Sequence, residues 1–139
     1  MRQEQKHQPT ACLQWVLAAL LGLCALPVFA EWQALSQTPQ AKHFYDDAVQ
    51  QQGAQISVSR ISDFTQPLTN LEGKEVLSEK TQATLDCSTQ KIAYSQVTRY
   101  SALHAQGEVM NHYDTPLRFT RVEPDGVDAL LMRKLCPRQ

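Results

Sequence analysis

Apolar residues run almost unbroken from residue 12 to residue 26, alternate with polar ones through the middle of the chain, and recur at helical spacing near its end. The middle pattern has period two, the signature of half-buried strands, and turn residues punctuate it. It predicts short strands over residues 32–35 and 42–45, the second ending at Asp46 and Asp47. A hairpin turn is expected at Gly53, followed by a longer strand over 55–64 carrying Ile56, Val58 and Phe64 in one parity. Residues 65–74, with Pro67, Asn70 and Gly73, have loop composition. Alternation returns over 81–87, where Ala83, Leu85 and Cys87 share a face, so that the Cys87 sulfur is expected to point inward. A tight connection at 88–90 leads to a strand over 91–100 rich in β-formers. Further extended segments are expected over 107–113 and 117–122.

The period changes after Pro124. Val127, Leu130, Leu131 and Leu135 recur at helical spacing, Asp125 suits the N-cap, and Asp128 places a carboxylate in the first turn. Arg133 and Lys134 fall in the last turn, where cations complement the helix dipole. An amphipathic helix this short needs an apolar surface to lie on, and a sheet is the only partner such a chain offers. The expected fold is α+β: an antiparallel sheet of about five or six strands with a C-terminal helix packed on one face.

The first apolar run reads differently. Arg2 and Lys6 precede it, Pro27 ends it, and Val28, Phe29 and Ala30 supply modest side chains before Glu31, the pattern of a secretory signal cleaved between Ala30 and Glu31. At about 15 residues the run falls short of the about 20 that a membrane span requires, which argues against a retained anchor. Lipid attachment at Cys24 is the other alternative. Leu21 stands three residues before it, as in bacterial lipoproteins, but Leu23 occupies the position that normally holds a small residue. The organisation expected is a signal peptide over 1–30 and a single domain over 31–139, too short for two independent cores.

Export gives the cysteines their meaning. Beyond the signal only Cys87 and Cys136 remain, and in an oxidising compartment two cysteines in a small domain are expected to pair. Closing a loop of about 50 residues contributes roughly 4 kcal/mol in the chain-entropy account. The rival reading of Cys87 as a free nucleophile or metal ligand lacks a CxxC motif or a closely spaced histidine. The formal charge of −1 gives no general attraction to nucleic acid or to an anionic membrane. Arg60, Lys74, Lys80, Lys91, Arg99, Arg118 and Arg121 could contribute a heparin-like contact surface, but the acidic residues between them favour the reading of a solvated exterior.

Catalytic motifs such as GxSxG, HExxH, the P-loop and GxGxxG are missing from the sequence, so no enzyme activity and no cofactor are expected. One constellation invites a metal: His104, Glu108, His112 and Asp114 share a parity and are all ligand types. In an extended strand His104 and His112 would stand about 26 Å apart, so one ion could join them only if the chain folds back near Gly107. Tyr94, Tyr100 and Tyr113 suit either an exposed aromatic platform for a glycan or peptide, or ordinary cross-strand packing.

The ordered set of Trp32, Phe44-Tyr45-Asp46, the Gly53 hairpin, Ser78-Glu79-Lys80 before Leu85-Asp86-Cys87, Tyr94, Tyr100, Gly107-Glu108-Val109 and the closing Leu135-Cys136 resembles the surface-adhesin protein E domain family of Gram-negative bacteria. The resemblance runs from Trp32 to Cys136. It implies a small antiparallel sheet with a C-terminal helix held by the Cys87–Cys136 disulfide. It also implies adhesion to host extracellular-matrix or serum proteins such as vitronectin and laminin. The functional expectation is an exported, non-enzymatic protein-binding module of the periplasm, outer membrane or cell surface, with no transmembrane span in the mature chain. A periplasmic accessory or structural protein that never meets a host is the alternative.

Overall fold

Alternating apolar positions in the middle of the chain build two long central strands, and the shorter strands add to either side of them. Residues 31–137 are described here from a computed structural model. The expected signal over 1–30, its cleavage after Ala30 and the Cys24 alternative all fall outside the described residues. The elements are β1 (Trp32–Gln37), β2 (Ala41–Asp46), β3 (Gln50–Gln52), β4 (Gln55–Thr69), β5 (Glu75–Asp86), β6 (Lys91–Tyr100), β7 (Val109–Asp114), β8 (Thr120–Arg121) and α1 (Val127–Leu135). One antiparallel sheet runs β1-β2-β4-β5-β6-β7, with β3 added beside β4 and β8 beside β6. The sheet with its single C-terminal helix is the architecture the alternation implies.

Register decides which side chains meet the helix. Ile56 pairs with Leu85 and Leu85 with Ile92, while Val58 pairs with Ala83 and Ala83 with Tyr94. Directly opposed residues of an antiparallel sheet share a face, so these rows form one apolar floor. Leu131 and Met132 of α1 pack onto it, and Leu131, Leu85 and Ala83 are fully buried. Cys87 continues the parity of Ala83 and Leu85 and bonds to Cys136 at the helix C-terminus, with a Cα–Cα distance of 5.5 Å across a sequence separation of 49.

The helix is also held at its other end. Asp128, in the first turn, pairs with the Arg60 guanidinium and accepts a hydrogen bond from the Tyr94 hydroxyl at 2.6 Å. The same guanidinium lies over the Tyr94 ring, 5.3 Å from its centroid. Burial, above all, raises the Tyr94 phenol far beyond its ordinary range, which keeps it a proton donor to Asp128. Arg60 is therefore not the solvated exterior charge its sequence context implies: its side chain is only 13 % exposed.

Several boundaries differ from expectation: the segment 117–122 is strand only at Thr120–Arg121, the strand expected from 107 begins at Val109, and β3 adds a short strand before the Gly53 turn. The stretch 65–74 is not a loop, because β4 continues to Thr69 and β5 begins at Glu75, leaving 70–74 as the connection. The helix is capped by Gly126 without a side-chain hydrogen bond, and not by Asp125. Asp128, engaged by Arg60 and Tyr94, anchors the helix where a capping side chain is missing.

Next to this anchor, His43 pairs across the sheet with Ser62, and its Nδ1 stands 2.9 Å from the Ser62 hydroxyl. Burial, reinforced by the Arg60 charge and opposed by Asp128, holds the imidazole below its ordinary value. The folded state thus takes up a proton less readily than the unfolded chain, whose histidine titrates near about 6.5. The contribution of His43 is present at neutral pH and lost as pH falls through that range. Urea denaturation at pH 7.5 and 5.5 is expected to give a lower stability at 5.5, and His43→Gln is expected to reduce the difference. An equal drop in the variant would remove His43 from the account.

Candidate functional site

Three exposed apolar side chains, Leu68, Leu71 and Leu103, lie at one end of the sheet, and for the first two the cause lies in the pairing of β4 with β5. Asp63 pairs with Ser78, but the next registered pair is Leu68 with Val76, so residues 64–67 stand opposite Leu77 alone. Pro67 has no N–H to give to a ladder and is tolerated because it falls in this bulge. Beyond it the hairpin closes over 70–74, where the Asn70 side-chain oxygen accepts hydrogen bonds from the Glu72 and Lys74 amides at 3.0 and 2.8 Å. Gly73, at φ +77°, supplies the left-handed conformation of the turn. Leu71 at the tip is fully exposed and Leu68 is 42 % exposed.

The loop 101–108 between β6 and β7 braces the same end. Buried Ser78 donates its hydroxyl proton to the Ala102 carbonyl at 2.5 Å and accepts from the Ala105 amide at 3.0 Å. Asp63, 5 % exposed, accepts the His104 amide at 2.7 Å, and its other oxygen lies 3.1 Å from His104 Nδ1. These contacts hold His104 and Ala105 at φ 57° and 54°, a region that costs an L-residue about 1–2 kcal/mol. Gly107, at φ +79°, could not be replaced cheaply, since a Cβ there would meet the Ser101 hydroxyl at 2.6 Å. The His104 ring rests edge-on against Phe44, with centroids 5.1 Å apart.

Two grooves open at this end. One, of about 410 Å³, is lined by Pro39, Gln40, Phe64, Gln66 and Leu68. The other, of about 360 Å³, lies between β2, the bulge and the loop, and Phe64 lines both. Leu103, 46 % exposed, borders the second. Aromatic and aliphatic walls with a few polar groups are the usual lining of a protein's binding sites.

The sequence-derived metal candidates are not brought together. His104 turns to Asp63, Glu108 approaches Lys74 at 4.0 Å, and His112 sits against Thr98 at 2.8 Å and Asp114 at 3.5 Å. Among the described residues, no three His, Cys, Asp or Glu side chains converge on one point. The tyrosines do not form a common platform either. Register puts Tyr113 opposite Val97, in line with Thr81 and Arg60 on the helix-bearing face, and Tyr100 opposite Ser78 on the other face. Tyr94 is engaged by Asp128. Sequence reasoning passed over Asp63, Ser78 and Phe64 as site residues. The one local signal was a carboxylate directly before Phe64 and two residues after Ile61.

The geometry defines a small α+β domain of one antiparallel sheet, a terminal helix stapled to it by a disulfide, and a braced apolar end. Within that class, the chain belongs to the surface-adhesin protein E family, whose sequence profile matches residues 32–137. That family is one of adhesins, a non-enzymatic kind of protein. The fold is similar to that of protein E from non-typeable Haemophilus influenzae, with a TM-score of 0.61 at 12 % identity over 79 % of either chain. None of the curated proteins compared matches this chain. Among the described residues no helix is long and apolar enough to cross a membrane.

Proposed function

We propose that this chain is an exported binding protein of the bacterial cell surface that holds a host extracellular-matrix or serum protein on the braced end of its sheet. The observation that carries the reading is the exposure of Leu68 on β4, Leu71 on the 70–74 turn and Leu103 on the loop braced by buried Asp63 and Ser78, all at one end of the sheet, within a family of surface adhesins. Exposed apolar groups on a soluble domain mark contact surfaces when they cluster, and a rigid support keeps the entropic cost of binding low. The work of the domain is adhesion and not catalysis.

Export is part of the proposal. Residues 1–30 serve as the signal, cleaved between Ala30 and Glu31, and both the family match and β1 begin at Trp32, just beyond that point. Protease treatment of intact cells is expected to remove the protein, and the mature chain is expected to start at Glu31 and to bind immobilised laminin or vitronectin. Resistance on intact cells together with no binding would sink this reading. A mature chain starting at an acylated Cys24 would replace the processing step.

A further inference from the structure

The second groove has a chemistry of its own, set by Lys42. Lys42 and Phe44 lie two residues apart on β2, hence on one face and about 7 Å apart along the strand. Both line the groove with Phe64, Leu103, Asp63 and His104. Lys42 is the cross-strand partner of Asp63, yet that carboxylate spends both oxygens on His104. The Lys42 ammonium is exposed and makes no ion pair among the described residues. A cation therefore stands beside an aromatic and aliphatic wall with its nearest carboxylate already committed.

We infer that this groove takes the apolar C-terminal residue of a partner polypeptide, its side chain against Phe44, Phe64 and Leu103 and its terminal carboxylate on Lys42. The inference rests on the proposed function, in that it names which part of a protein partner the braced end reads. A terminal residue carries its negative charge one bond from the Cα that bears its side chain, which matches the short spacing of cation and wall. An internal apolar residue offers no such charge. A groove of about 360 Å³ lies at the small end of ligand pockets and has room for one apolar side chain with the backbone beside it.

The test is a titration of the ¹⁵N-labelled mature domain with N-acetyl-L-phenylalanine and, separately, with its C-terminal amide, followed by NMR. A fragment of this size is expected to bind in the millimolar range. Saturable shifts are expected at Lys42, Phe44, Leu103 and His104, with the amide weaker by about fivefold, the upper end for an ion pair to an exposed lysine. Lys42→Ala, an exposed substitution that leaves the fold intact, is expected to bring acid and amide to the same affinity. Equal binding of acid and amide to the unaltered domain overturns the inference, as do shifts confined elsewhere. A domain that captures laminin or vitronectin but shows no saturable shift with the acid loses this groove and keeps its binding surface. Saturation by the acid in a domain that captures neither protein upholds the groove and removes only the matrix-binding reading.

Discussion

Replacing Cys87 or Cys136 by serine is expected to lower the stability of the domain by about 4 kcal/mol, and the double replacement by no more than either single one. The estimate follows from the sequence separation of 49 that the bridge closes. Against a total of about 5–15 kcal/mol for a domain of this size, the loss is a large part of what holds the fold. The helix feels it first. Its nine residues are too few to be helical alone, so α1 exists only while it is docked, and the bridge joins its C-terminus to the sheet. Thermal denaturation of the three variants checks this, and strongly additive losses would contradict a shared bond.

Leu131→Ala is expected to cost about 3 kcal/mol. Leu131 is wholly buried among Ile56, Val58, Ala83, Leu85 and Ile92, side chains fixed by β-pairing that cannot collapse into the space left behind. Leu117→Ala is the matched control, since Leu117 is 54 % exposed and its loss should stay within about 0.5 kcal/mol. Urea melts of the two variants separate the outcomes. A loss at Leu131 as small as that at Leu117 would mean that the helix does not seal the core.

Local patterns were readable where the chain itself carried them. The strand Lys91–Tyr100 was visible in its run of β-formers, and the inward direction of Cys87 in the parity of Ala83 and Leu85. Proline misled: Pro67 marks loops in most sequences, and here a bulge accommodates it inside a strand of 15 residues. Asp128 looked like a charge serving the helix dipole, yet its partner Arg60 lies 68 residues away. The braced end was the least legible part. Asp63 meets His104 across 41 residues and Ser78 meets Ala105 across 27, and no periodicity encodes which polar side chain will brace which distant loop.

The chain can therefore be read as a stapled scaffold that presents one apolar end, and binding by the mature domain and its surface variants to immobilised laminin and vitronectin tests that reading most directly. Leu71→Asp and Leu103→Asp alter exposed side chains at the braced end, while Gln51→Asp alters the exposed β3 hairpin at the far end of β4. The unaltered domain is expected to bind, the two leucine variants to bind about tenfold or more weakly at unchanged melting temperature, and Gln51→Asp to match the unaltered domain. Equal binding by all four proteins, or a loss confined to Gln51→Asp, would contradict it.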